Sequence, residues 1–166
     1  MEIIINSKKY GKYTLLYDEE DHEIIKDHKW RIKNVGKCFY AVTDIKYINK
    51  KITIRMHRLI MGFPEGMHID HINHNGLDNR KCNLRECTGS QNNANQRNQI
   101  GKSSKYKGVC FNKNRNKFVA AIKKDKKQKY LGIYISEIDA AKSYNKAAIE
   151  YFGEFANLNV IDEVTV

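Results

Sequence analysis

Apolar residues along the chain gather in short runs separated by polar breaks, and each run predicts a small element. Tyr13-Thr14-Leu15-Leu16-Tyr17 reads as a strand, and Phe39-Tyr40-Ala41-Val42 with Ile52-Thr53-Ile54 reads as a hairpin. Between them, Asp18 to Asp21 is acidic, suits a helix N-terminus, and would start a helix carrying Ile24 and Ile25. Trp30, the only tryptophan, reads as a core anchor. Residues 1–56 thus form a small α/β extension. Gly62-Phe63-Pro64-Glu65-Gly66 is a turn separating a short helix from a strand at Met67 to Ile72. His74-Asn75-Gly76 and Asp78-Asn79 hold residues that bond their own backbone or accept positive φ, so a loop follows. Asn83 to Cys87 predicts a second strand, weakened by its asparagine and glutamate. Thr88-x-x-Gln91 has the form of a capping box, which starts a helix at Gly89 or Ser90.

From Asn92 to Ser104 the chain is rich in Asn and Gln; its first half reads as helix and its second as a linker, with a domain boundary near residue 100. Strands are then predicted at Tyr106 to Phe111, Lys117 to Lys123 and Lys129 to Tyr134. In the middle one Phe118, Ala120 and Ile122 alternate with Lys117, Val119, Ala121 and Lys123, giving one apolar face and one small, basic face. Ser136-x-x-Asp139 caps a helix in which Ala140, Ala141, Tyr144, Ala148, Tyr151 and Phe152 recur near helical spacing, and Gly153 suits its end. The plan is α+β: an extension over 1–56, a core over 57–100, a linker over 101–105, a sheet-and-helix domain over 106–159 and a tail over 160–166.

Composition fits this plan: 166 residues and 19.4 kDa suffice for one ordinary domain or two small ones. The net charge of +11 favours a polyanionic partner. It is concentrated, because Lys102 to Tyr130 holds eleven Lys or Arg and one acid, or +10. No apolar run approaches the ~20 residues of a membrane span, and Ile3-Ile4-Ile5 is too short for a signal-peptide core, so the expected location is the cytosol. There the four cysteines, which form no C-x-x-C pair, are free thiols. A zinc site from His68, His71, His74, Cys82 and Cys87 is disfavoured, since the histidine spacing is helix-like in a loop-like stretch.

The chemistry centres on Asp70-His71, with Asn83 twelve residues after the histidine and Asn92 nine further on. A phosphodiester is attacked by water only if something removes a proton and something absorbs the growing charge. His71 titrates near neutrality and can take the proton, a role typically worth about 10²–10⁴-fold. A hard divalent ion prefers oxygen ligands, and Mg²⁺ commonly takes only one or two from protein; Asp70 and Asn92 could provide them. Adjacent strand residues point to opposite faces, so Asp70 and His71 share a site only if the strand twists or ends there. Arg58, Arg80 and Arg85 are candidates for phosphate contact, and His57 is either structural or a second group near the phosphate.

The run H-R-L-I at His57 to Ile60, then D-H-I-N-H-N-G-L-D-N-R-K-C-N-L-R from Asp70, then T-G-S-Q-N-N from Thr88, closely resembles HNH endonucleases of the phage and intron homing type. The resemblance covers about residues 10 to 100. It implies a ββα-metal fold in which His71 is the general base, Asp70 and Asn92 hold one divalent metal, Mg²⁺ or Mn²⁺, and Asn83 orders the loop between the strands. The third motif position is Asn92 instead of histidine, a variant this subgroup uses.

A second resemblance lies beyond the boundary. S-K-Y-K-G-V, N-K-F-V-A-A-I, K-Y-L-G-I-Y and Y-F-G-E-F-A-N-L-N, within residues 103–159, closely resemble the Apetala-two/ethylene-response DNA-binding domain. It implies duplex contacts at Lys107, Cys110, Asn112, Lys123, Gln128 and Tyr130. Several of these are arginine or tryptophan in the plant proteins, so their sequence preference does not carry over; lysine binds phosphate but is not a bidentate reader of guanine. The expected function is therefore metal-dependent DNA cleavage on double-stranded DNA, with no membrane and no small-molecule cofactor. One site per chain predicts one nick per monomer, and a double-strand break needs a dimer, at most a weak one, or a second binding event. The alternatives are a non-catalytic DNA-binding regulator and an RNA-binding module, the latter without any RNP-type aromatic motif.

Overall fold

The computed structural model describes residues 1–36, 38–98 and 103–161. The chain packs as two compact units, Met1–Thr88 and Gly89–Val166. This division falls ahead of the boundary expected near residue 100. Residues 101–102 of the expected linker and 162–166 of the expected tail lie outside the described residues.

In the first unit, β1 (Glu2–Ser7) and β2 (Gly11–Leu16) form an antiparallel hairpin. A 3-10 turn at Glu19–Asp21 runs into the single turn of α1 (His22–Ile25), so the expected helix is present but short. β3 (Arg31–Val35), β4 (Cys38–Tyr47) and β5 (Lys50–Arg55) make an antiparallel sheet in that order. The predicted hairpin is its β4–β5 pair; β1 and β3 add to the predicted elements. α2 (Met56–Ile60) precedes a tight turn in which Gly62 and Gly66 both take positive φ. β6 (His68–His71) and β7 (Leu84–Cys87) pair antiparallel. The core gathers Leu15, Tyr17, Ile25, Met56, Ile69 and Leu84, against which Trp30 packs while donating its indole N–H to Ile25 O at 3.1 Å.

The second unit opens with α3 (Gly89–Asn95), which starts where the capping-box reading puts it. β8 (Val109–Asn112), β9 (Lys117–Lys124) and β10 (Lys127–Tyr134) form an antiparallel sheet with β9 central. α4 (Glu137–Phe152) packs on it. Ser136 caps α4 by accepting from the Asp139 N–H at 3.3 Å, and Gly153 closes it at φ +51°. Gly108 also needs to be glycine: it takes φ +74°, and a Cβ there would meet the Tyr144 ring at 2.0 Å. Ala120 and Ile122 are buried while their neighbour Lys123 is exposed, so the alternation read from the sequence sets which face α4 covers. Among the described residues no helix is long and apolar enough to cross a membrane.

Candidate nuclease site

β6 carries the motif residues. Its register pairs Asp70 with Arg85 and His71 with Leu84, so the acid and the imidazole leave the strand on opposite faces. The strand ends at His71, and the chain turns there, with the His74 N–H donating to His71 O at 3.0 Å. Both side chains are buried, each about 6% exposed. Burial is tolerable because partners are present. Arg85 Nε and Nη2 donate to Asp70 Oδ2 at 3.1 and 2.9 Å, an ion pair that is itself largely buried.

His71 Nε2 lies 3.4 Å from Asn79 Oδ1. An amide oxygen only accepts, so this contact suits the tautomer that carries its proton on Nε2. Asn79 is fully buried, and its backbone N–H donates to Leu16 O at 2.7 Å. Burial pushes the His71 pKa below its ordinary value, although the Asn79 bond works the other way, so the ring is neutral near pH 7.

Beside it stands His57 on α2, 4% exposed, with ring centroids 4.8 Å apart and the rings edge to face. Tyr40 closes the group at 5.6 Å from His57 and 5.9 Å from His71. Burial, followed by repulsion from His71, Arg55 and Arg58, lowers the His57 pKa to about 3, and its Nδ1 has no hydrogen-bond partner among the described residues. The Tyr40 hydroxyl is also raised by burial. Neither Asn79 nor Tyr40 stood out in the sequence; the Asp78-Asn79 pair was legible only as a loop.

The loop between β6 and β7 is held largely by side-chain amides. Asn83 Oδ1 accepts from the Asn73 N–H at 2.9 Å, and its Nδ2 donates to Asp78 O at 2.8 Å. Asn73 Nδ2 donates to Asp78 Oδ2 at 2.9 Å, and Asn75 and Leu77 are bonded by the preceding Asn73 and Asn75 side chains. Gly76 lets this loop lie on β4, since a Cβ would stand 2.4 Å from Phe39 O. Asn92 lies on α3, in the second unit, and is partly buried.

The three arginines named as phosphate candidates are engaged within the fold. Arg58 donates to Met67 O and Pro64 O, both at 3.1 Å, bracing the turn before β6. Arg80 grips Asp78 at 2.8 and 2.7 Å and holds that carboxyl below its usual range, and Arg85 is the partner of Asp70. Lys107, expected at the duplex, is turned inward, with its ammonium on the carbonyls of Asn93, Ala94 and Gln96. Cys110, Asn112, Lys123, Gln128 and Tyr130 do share a face. The pairs Cys110–Val119, Asn112–Lys117, Lys123–Gln128 and Ala121–Tyr130 lie on the side of the sheet away from Ala120 and Ile122. Lys123, Gln128 and Tyr130 are exposed there, and Asn112 Oδ1 accepts from the Arg115 N–H at 3.1 Å.

As for a metal, among the described residues no three of His, Cys, Asp and Glu converge. That removes the zinc reading, whose five residues do not come together: Cys82 is exposed while Cys87 is buried with its thiol pushed up to about 11. The Asp70 carboxylate is an oxygen donor of the kind a hard ion such as Mg²⁺ prefers, and Mg²⁺ asks little of the protein.

Comparison with known proteins identifies the family. The family described as HNH endonuclease matches residues 56–94. An uncharacterized HNH endonuclease of Acanthamoeba polyphaga mimivirus is 34% identical over 159 residues, covering 92% of this chain and 78% of that protein. No solved structure matches. Similarity at that level along nearly the whole chain, with α2, β6, β7 and most of α3 inside the family match, places this protein among the HNH endonucleases, and it is a nuclease.

Proposed function

We propose that the protein is a homing-type DNA endonuclease that hydrolyses a phosphodiester bond, with His71 as the general base. The observation that carries this reading is the setting of His71 at the end of β6, buried and with its Nε2 3.4 Å from the Oδ1 of the buried Asn79, which orients the imidazole for proton transfer. Asn83 holds the loop that follows His71 through both of its amide atoms. Asp70 and Asn92 are the proposed oxygen ligands of one divalent ion, Mg²⁺ or Mn²⁺. When bound, such an ion polarises the phosphate and offsets charge on the leaving oxygen.

In the second unit the helix-free face of the β8–β10 sheet is the proposed duplex-binding surface. It is supported by the resemblance to the Apetala-two/ethylene-response domain and by the +10 charge of Lys102 to Tyr130. Asn112, Lys123, Gln128 and Tyr130 are the proposed contacts, and Lys107 is not one of them. Backbone contacts of this kind fix register and orientation, leaving the chemistry to the HNH residues.

The test is cleavage of supercoiled plasmid and of long phage DNA with Mg²⁺ or Mn²⁺. Nicked or linear product is expected from the wild type and not from His71→Ala or in EDTA. Tight, salt-sensitive duplex binding with no product from the wild type would overturn the reading and leave a DNA-binding regulator.

A further inference from the structure

α3 is seven residues long. Isolated helices below about 12–15 residues are marginal in water, so its order must come from what it packs against. It has no basic residue in its last turn to meet the carbonyls exposed there. The rest of the second unit supplies both needs. Ala94 is buried in a cluster with Ile122, Tyr144, Ala148 and Phe152.

The Lys107 ammonium reaches the C-terminal end of α3. It donates to Ala94 O, to Gln96 O at 2.6 Å and to Asn93 O at 3.4 Å. Asn157 adds its backbone N–H to Ala94 O and its side-chain Nδ2 to Gln96 O, each at 3.2 Å. Lys107 is held in turn by Asn159, which accepts from its N–H at 2.6 Å and donates to its carbonyl at 3.1 Å. Asn159 exchanges two bonds with Asn145 of α4, at 2.8 and 2.9 Å. Hydrogen bonds therefore run without a break from α4 through Asn159 and Lys107 to the last turn of α3. Partial burial lowers the Lys107 pKa to about 8, while the carbonyls around its ammonium favour the charged form.

We infer that Lys107 is a positioning residue for the nuclease reaction: by capping α3 it fixes the helix that carries Asn92 to the sheet-and-helix unit, so this last element of the HNH match folds with the C-terminal unit. The inference rests on the proposed role of Asn92. It explains why the chain divides at Thr88 while the family match runs on to residue 94. The nuclease and DNA-binding parts are then not separable at residue 100.

The experiment uses the full chain as wild type, Lys107→Met and Lys107→Arg. Amide hydrogen exchange at rising urea should show wild-type α3 losing protection together with β9 and α4. In Lys107→Met the amides of Gly89–Asn95 should lose protection while those of β9 keep theirs. At saturating DNA its kcat should fall about 10–100-fold, the range typical of residues that orient a metal site from behind its ligands, with duplex Kd and its salt dependence unchanged. Lys107→Arg, which keeps the donors, should restore both readings. Were Lys107 a phosphate contact, Lys107→Met would keep α3 protection and kcat and would lower the salt slope by about 0.9; that result overturns the inference. If Lys107→Met unfolds the whole unit, the wild-type urea series decides, and α3 protection that does not follow β9 and α4 is again fatal. A wild type that binds but never cuts would refute the nuclease reading, while the exchange data would still decide the anchoring.

Discussion

His57 is a buried neighbour of the candidate base. It stands edge to face with His71, and its Nδ1 is without a hydrogen-bond partner among the described residues, so the folded protein strongly prefers it neutral. Its pKa drops from 6.5 to about 3 on folding, which means that between those values the unfolded chain binds more protons than the folded one. The stability this contributes is fully present above pH 6.5 and is lost as the pH falls toward 3. In urea unfolding between pH 7 and 4, His57→Phe should show a shallower acid dependence than wild type, by up to about 1.4 kcal/mol per pH unit for one group. Identical slopes would mean that His57 is protonated in the fold at mild acidity. Arg85 makes the complementary case among the charged residues. Its replacement by Met strips the guanidinium from a buried carboxylate, and a loss of about 3–5 kcal/mol in unfolding free energy is expected; a loss below 1 kcal/mol would show that the Asp70 pair is effectively solvated.

At the scale of elements, the long connection from β6 to β7 behaves as a folded part, because Asn83 ties its start to its middle. Asn83→Ala should destabilise the first unit by about 1–3 kcal/mol, the usual cost of leaving buried partners unmet. It should also raise amide exchange in residues 72–79, and unchanged exchange there would exclude a loop-ordering role. β6, β7 and the start of α3 were legible in the sequence because a strand pair, an amide-rich loop and a capping box each leave a local mark. β1 and β3 left none. In β1 the run Ile3-Ile4-Ile5 puts apolar residues on both faces, and β3 buries only Ile32, so neither shows a period of two. The docking of α3 was equally hidden, because a single small residue, Ala94, marks its apolar side within an Asn/Gln run that looks solvated. Asn79 meets His71 across eight residues of loop, a contact that no spacing rule reports.

On the scale of the whole molecule, charge is concentrated along the chain. Lys102 to Tyr130 carries +10 of the net +11, while Asp70, His71 and Asn83 lie in Met1–Thr88 and Asn92, of the proposed HNH residues, lies on α3. If affinity rests on the basic sheet and bond cleavage on the HNH residues, substitutions should separate kinetically. Lys117 and Lys123 are exposed on the helix-free face of the sheet, where replacement by Gln leaves folding within about ±0.5 kcal/mol. The double variant should bind duplex more weakly, and the slope of log affinity against log salt should fall by about 0.9 for each phosphate no longer neutralised, or nearly 2 for both. Its kcat at saturating DNA should match wild type. His71→Ala should show the reverse, with wild-type affinity and salt slope but kcat reduced about 10²–10⁴-fold. Should the double variant keep the wild-type salt slope, the duplex does not lie on this sheet and the basic segment is a solvated surface. A fall in its kcat at saturation, with α3 exchange unchanged, would instead mean that the sheet helps to set the phosphate against His71, and affinity and chemistry would no longer be separable.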